Sequence, residues 1–349
     1  MLRNLGLVLL STLISLLMVE FAARLELIPL PDHVSTDAWW AERWQRERKG
    51  MNPRAIIELD ADLGYVPAAN LDLFEYQDAR ISTNAKHMRG RQEYALERSN
   101  SARIVAIGDS FTFGQCANDD ETFPFALEQS LIDAEVLNLG VMGYGQDQAF
   151  LRLRRDGFPY RPDVVVFGFH STDMRRNLLS FRGYGKPRLR FEDGRVEVEN
   201  VPVPSPEEYS RWWPPRIWNF VEIFRASRED RKVVKRRINE VSLAIVHQMA
   251  IETREQGALF AVVHLPHPRS LGGEGEHGWK FMEKVCAEAT AAGGICIEPV
   301  PRFREIASTP EEVNHHFACH FSPELYQALG EVIAEALVRA RPDRFALRN

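Results

Sequence analysis

The hydrophobic pattern divides the chain into an apolar start, an irregular stretch, and a long region where short apolar runs alternate with amphipathic ones. Arg3 and Asn4 precede an apolar stretch from Leu5 to Val19, interrupted only by Gly, Ser and Thr and continuing through Glu20 into Phe21-Ala22-Ala23. That is shorter than the ~20 residues of a full bilayer span, and its length and basic flank are those of a signal h-region. Arg24 stands where a cleavage site needs a small residue, so residues 1–24 read as an uncleaved signal-anchor, with a buried N-terminal helix as the plainer alternative. Pro29 and Pro31 end that helix, and Trp39, Trp40 and Trp44 lead into the mixed-charge run Arg43 to Lys49. Residues 25–100 read as a juxtamembrane connector and N-terminal extension, with short β-like pieces at Leu63-Gly64-Tyr65 and Ile81-Ser82-Thr83-Asn84.

Residues 101–343 have a different rhythm. Ile104 to Ile107 is a short continuous apolar run, the mark of a strand covered on both faces. Further runs at Val136–Leu139, Val164–Phe167, Leu259–Val263 and Ile295–Ile297 are separated by helical patterns over Thr122–Ile132, Asp147–Arg155, Arg237–Gln256 and Trp279–Ala292, and Pro323–Arg339 closes the series. Strands alternating with helices predict an α/β fold, a three-layer α/β/α sandwich around five parallel strands. An insertion at about 174–230 breaks the alternation. Within it Asp193-Gly194, flanked by alternating apolar and charged residues, predicts a β-hairpin. Trp212, Trp213, Trp218 and Phe220 follow, so the insertion reads either as a flap over the C-terminal edge of the sheet or as an excursion packed by its own aromatics.

Composition narrows the function classes. The 349 residues are 45% hydrophobic and 26% charged, ordinary globular values, and a net charge of −6 argues against a nucleic-acid partner. None of the four cysteines, Cys116, Cys286, Cys296 and Cys319, forms a C-x-x-C pair, which removes the metal-knuckle and dithiol-redox readings. His315, His316 and His320 lie within six positions, but no carboxylate at zinc-enzyme spacing accompanies them, so no metal is expected. Arg225 to Arg237 is most simply a solvated helix face that could also meet anionic headgroups or an acidic glycan.

The chemistry centres on Ser110, in a Gly108-Asp109-Ser110 turn just past the first strand, where a hydroxyl can project into a cleft. A serine hydroxyl is a poor nucleophile until a neighbouring base takes its proton. The run Ile107-Gly108-Asp109-Ser110-Phe111-Thr112-Phe113-Gly114 resembles the first block of the SGNH (GDSL-type) hydrolase superfamily. Asn138 to Gly145 resembles the second block, Gly168 to Asp173 with Asn177 sits where the third belongs, and Cys319-His320-Phe321-Ser322-Pro323 looks like the fifth. The upstream pieces at 63–65 and 82–84 look like the membrane-anchored bacterial branch.

That resemblance implies a flavodoxin-like fold with Ser110 as nucleophile and His320 as general base. Ser110 and Gly143 would supply backbone N–H groups to an oxyanion hole; a residue without Cβ at 143 allows close backbone approach. The family's side-chain oxyanion donor, an Asn, is replaced here by Thr172, before Asp173, and His170 is a possible substitute or a loop brace. Phe317 stands where the family has an acid, so Ser110 and His320 would act as a dyad unless a distant carboxylate such as Glu312 orients the imidazole. Asp109 is read as bracing the loop. Cys116 and Cys319, at the rim of the same cleft, could form a disulfide in an oxidising compartment, while Cys286 and Cys296 read as buried small hydrophobes. The implied activity is hydrolysis or O-acyl transfer, without a cofactor, on an acylated or acetylated carbohydrate. The implied location is the bacterial inner membrane, through one N-terminal helix, with the domain facing the periplasm. The alternatives are a lipase or thioesterase, or an inactive relative that binds glycan or serves in assembly. The sequence leaves oligomeric state unread.

Overall fold

The computed structural model describes residues 2–32, 34–47, 56–98, 100–192, 195–205, 215–271 and 279–348. The five apolar runs become strands β1 (Ala102–Ile107), β2 (Ala134–Asn138), β3 (Val164–Phe169), β4 (Leu259–His264) and β5 (Ile295–Ile297). All pair in parallel, in the order β5-β4-β3-β1-β2. Parallel neighbours require crossovers long enough to hold a helix. These and the chain's other principal helices are α1 (Leu2–Arg24), α2 (Asp37–Glu47), α3 (Ser110–Phe113), α4 (Phe123–Ser130), α5 (Gln146–Arg152), α6 (Ile217–Ser227), α7 (Arg231–Glu255), α8 (Trp279–Ala291) and α9 (Pro323–Ala340).

Successive strand side chains point to opposite faces, and here both faces are covered. Ile104, Ala106, Val164 and Val166 pack with Leu127 of α4 and Leu329 and Ile333 of α9. Val105, Ile107, Val165 and Phe167 pack with Phe150 of α5, Met249 of α7 and Val285 of α8. The result is the three-layer sandwich the alternation predicts. Because β2 lies on one side of β1 and β3 on the other, the chain reverses its winding direction at the C-terminal ends of β1 and β3, where open α/β sheets bind ligands.

Residues 56–90 are built against this edge. Two antiparallel pairs, Ile57–Asp60 with Gly64–Pro67 and Phe74–Tyr76 with Ala79–Ile81, lie here. The Tyr65 hydroxyl donates to Met142 O at 3.0 Å, Gln148 Nε2 donates to Leu63 O at 2.8 Å, and Arg89 N donates to Asn138 O at 3.0 Å.

The hairpin of the insertion forms between Arg188–Glu192 and Arg195–Glu199 with Arg188 opposite Glu199. Asp193-Gly194 and Trp212-Trp213 lie outside the described residues. Leu189 is buried in the α5–α7 side of the core with Phe191 and Val196 packed against it, so the hairpin sits on the flank of the sandwich. Ile223 of α6 instead joins Val34, Ala38 and Trp39 in a small separate cluster. There Glu20 of α1 accepts hydrogen bonds from the N–H groups of Arg216 (3.1 Å) and Ile217 (2.9 Å), while Trp218 is exposed. Arg225 is exposed on α6 and Arg228 just past its end; the basic run expected as one helix face is divided, because Asp230 caps the start of α7. Along α1, Asn4–Arg24 is long and apolar enough to cross a membrane by length and composition; Asn4 to Val19 are exposed, while Ala23 near the end is buried.

One expectation is corrected. Cys286 and Cys296 are not separate buried thiols: α8 turns directly back into β5, bringing their Cα atoms to 5.2 Å, and the two are joined in a disulfide.

Candidate active site

The turn after β1 sets Ser110. Gly108 has φ +153°, and a Cβ there would come within 2.2 Å of Thr112 Oγ1. Asp109 Oδ1 then accepts from Phe111 N at 3.0 Å and caps α3, which is the bracing role its position suggests. Ser110 is the first residue of α3, so its own N–H has no acceptor within the turn. Its Oγ lies 2.8 Å from His320 Nε2 and 3.4 Å from Asp109 Oδ2, and the residue is only 8% exposed.

His320 reaches it from the loop before α9. Ser322 caps that helix, accepting from Leu325 N, and Pro323 occupies its first turn, where a missing N–H costs nothing. Ser322 N donates to His316 O at 2.9 Å, and His316 Nδ1 lies 2.7 Å from Ser322 Oγ, so His316 belongs to the loop's frame. Burial pushes the His320 pKa below the ordinary histidine value; the Asp109 charge opposes the shift and Arg176 adds to it. Among the described residues no carboxylate lies within ion-pair distance of His320. The Glu312 alternative is corrected: its carboxylate accepts from Ser308 N, Ser308 Oγ and Thr309 N at 2.9 Å each. Those hydrogen bonds pull its pKa down to about 2 and commit it to capping Pro310–His316. Phe317 packs on Phe321, with ring centroids 5.2 Å apart. Cys116 and Cys319 are joined in a disulfide, and Cys319 Sγ is 3.4 Å from His320 Nδ1.

The loop after β2 completes the edge. Asn138 accepts from Gly140 N and donates to Thr112 O, both at 2.9 Å, and Val141 N donates to Gly108 O at 3.1 Å. These contacts fasten the loop to α3. Gly143 follows at φ +80°, where an added Cβ would meet Arg182 Nη1 at 2.8 Å and Tyr65 Oη at 2.9 Å.

A buried polar cluster lies beside the serine. Ligand-capable atoms of Asp109, His170 and Asp173 lie within 4.8 Å of one another. Arg176 Nη1 is 2.6 Å from Asp173 Oδ1 and 3.8 Å from Asp109 Oδ2, and it also donates to Tyr144 O at 2.7 Å. A cation bound by these three residues would have to compete with that guanidinium. Burial raises the Asp173 pKa well above the usual range, with Arg176 opposing and Asp109 adding. Burial likewise pushes His170 down to about 4, so it is neutral at pH 7. Its Nδ1 sits 2.6 Å from Thr172 Oγ1, which also lies 3.4 Å from Asp173 Oδ1. The Thr172 hydroxyl is therefore engaged within its own loop. The Phe111 ring contacts both His170 and His320, with centroids 4.6 Å apart in each case.

No family model and no curated protein matches the chain. Solved structures do. TesA is 13% identical over 68% of this chain and 98% of its own, with a TM-score of 0.40. A GDSL-like lipase from Bacteroides thetaiotaomicron is 14% identical over 71% and 93%, with a TM-score of 0.40. An acetylxylan esterase from Geobacillus stearothermophilus is 13% identical over 67% and 93%, with a TM-score of 0.40. These are structures to which the chain is similar at low identity. What its site can do is decided by the geometry of its own residues.

Two arginines at this site escape a reading of the sequence. Arg176 carries one local signal, its three-residue spacing from Asp173 on a helical turn. Arg182 donates to Gly143 O at 3.2 Å and lies over the Trp40 ring at 4.9 Å; no local pattern announces either contact.

Proposed function

We propose that the chain is a serine ester hydrolase or O-acyltransferase of SGNH type. It would be anchored by α1, face the non-cytoplasmic side, and act on an acylated carbohydrate. The observation that carries the catalytic part is the 2.8 Å contact between His320 Nε2 and Ser110 Oγ, made between residues 210 positions apart. The apolar α1 and the pairing of all four cysteines support a place outside the reducing cytoplasm. The carbohydrate preference is what resemblance to the anchored branch implies.

In this reading Ser110 Oγ attacks the ester carbonyl carbon while His320 Nε2 takes its proton. The Ser110 and Gly143 N–H groups stabilise the resulting oxyanion. His320 then returns the proton to the departing alcohol, leaving Ser110 acylated; water or a sugar hydroxyl, deprotonated by the same imidazole, accepts the acyl group. The oxyanion role falls to the two backbone donors, because the Thr172 hydroxyl is held by its neighbours.

The test is to label the full chain in detergent with a fluorophosphonate, then screen it on acetylated glycans and short acyl esters with and without a sugar acceptor. Labelling that disappears in Ser110→Ala is expected; wild-type protein that fails to label would sink the catalytic reading. Two further outcomes follow. His320 must be neutral to act as a base, and burial disfavours its charged form, so the acid limb of kcat/KM should lie below about 6.5, the ordinary histidine value. A limb above that value in a pH–rate profile contradicts the assignment. Gly143→Ala should lower kcat by about 10- to 100-fold with the protein folded, because it strains a left-handed position and displaces the donor by pushing on Arg182 and Tyr65.

A further inference from the structure

A base without a carboxylate partner still has to be held in one orientation. On the Nδ1 side of His320 the neighbour is Cys319 Sγ at 3.4 Å, and that sulfur is bonded to Cys116. Cys116 lies just past α3, in the turn where Gly114 N and Gln115 N donate to Ser110 O at 3.0 and 2.9 Å. The next residue, Ala117, is fully buried, and its carbonyl accepts from Arg89 Nη2 at 2.8 Å; Arg89 is itself buried and ion-paired to Asp119. The bridge thus fastens the residue beside the base to the turn that begins with the nucleophile, across 203 residues of sequence.

We propose that the Cys116–Cys319 disulfide is the positioning element of His320, performing the orienting part of what a carboxylate does in a serine triad. This rests on the reading of Ser110 and His320 as nucleophile and base. In a triad the acid fixes the ring's tautomer and orientation and stabilises the imidazolium. A divalent sulfur is a weak acceptor. At 3.4 Å from Nδ1 it favours the tautomer with the proton there, leaving the Nε2 lone pair for the Ser110 proton. Being uncharged, it gives the imidazolium nothing. Burial shifts His320 below the ordinary histidine value, with the Asp109 charge opposing, whereas a carboxylate at the place of the sulfur would raise it. The covalent tether supplies orientation and no charge; the stabilising charge on the ring is that of Asp109, from beyond ion-pair distance.

The experiment compares the full chain with Cys116→Ala/Cys319→Ala and with Cys116→Ala/Cys319→Asp, the last placing a carboxylate where the sulfur was. Ser110, Asp109 and Arg176, the other groups acting on the ring, are unchanged in all three. The double alanine variant should lose kcat by about 10- to 100-fold at unchanged KM, since a displaced base leaves ester binding intact. The aspartate variant should recover most of that loss and move the acid limb of the pH–rate profile upward, because a carboxylate stabilises the imidazolium. A bridge that only stabilised the fold would leave kcat of the folded double alanine variant unchanged; the upward shift reports that the new carboxylate reaches the imidazole. If the alanine variant does not fold, phosphine reduction of a Cys286→Ala/Cys296→Ala protein opens the site bridge alone, and kcat should fall by the same factor. Undiminished kcat after loss of the bridge, or a loss that aspartate does not relieve, overturns the inference. Wild-type protein without Ser110 labelling fails earlier and overturns the function on which the inference rests.

Discussion

Removing Ser110 or His320 is expected to lower kcat on an activated ester by roughly 10⁴- to 10⁶-fold, with the double variant no slower than the worse single one. The non-additivity follows from the roles: the hydroxyl is inert without a base, and the base has nothing to deprotonate without the hydroxyl. Steady-state kinetics of Ser110→Ala, His320→Ala and the pair, with circular dichroism confirming the fold, checks this. Retention of a tenth of the rate in His320→Ala would mean that another base serves. The next imidazole, His170, has its Nδ1 against Thr172 and a buried Nε2 with no partner among the described residues, so it is badly placed for that service. Both substitutions should leave stability nearly unchanged, which separates a chemical loss from an unfolded one.

The largest expected effect on stability lies elsewhere. Lys186 Nζ, fully enclosed, contacts the Asp147 carboxylate and donates to Leu179 O and Pro187 O at 2.9 Å and to Arg176 O at 3.2 Å. Asp147 opens α5, so this ion pair ties the insertion to the core beside the loop that carries Gly143. Burial pushes the carboxyl up and the ammonium down, and their mutual contact opposes both shifts. Lys186→Met should cost about 3–5 kcal/mol, because it strands a buried carboxylate. Left without its cation, Asp147 would bind a proton more tightly folded than unfolded. The variant's deficit should therefore be smaller near pH 5 and grow as pH rises through the folded-state pKa. Denaturant unfolding at both pH values measures it. Asp147→Leu/Lys186→Met should be less destabilised than Lys186→Met, since no charge remains unpaired; a double variant as unstable as the sum of the singles would contradict this account.

Much of the fold is legible in the chain because its signals are local. The run at 104–107 specifies a strand buried on both faces, and it is so buried. Ser322-Pro323 marks where α9 begins, and Gly108-Asp109-Ser110 marks the tight turn into α3. The same patterns place Ser110 and His320 next to structural punctuation, and in the structure the two meet. The residues between 56 and 90 give only short β-like signals, and nothing in them says that Tyr65 will brace the loop carrying Gly143. Cys286 and Cys296 could not be paired from the sequence because helix-to-strand packing, with no spacing rule, sets their separation. Glu312 is near His320 in sequence, yet its carboxylate turns toward Ser308 and Thr309, whose N–H groups are closer and otherwise unpaired at a helix start.

By itself the sequence determined the alternation of elements, the three-layer sandwich, the apolar start, and the serine and histidine that the proposed chemistry uses. Each of those follows from periodicity, turn chemistry or an ordered set of short motifs, which act over a few residues. Only the tertiary structure decided what stands around the base. It brought Cys319 Sγ to the Nδ1 side of His320 where a carboxylate was missing, set Arg176 between Asp109 and Asp173, and laid Arg182 against Gly143. Those contacts join residues with no local pattern linking them, and they exist because parallel strands bring the loops after β1, β2 and β3 to one edge of the sheet.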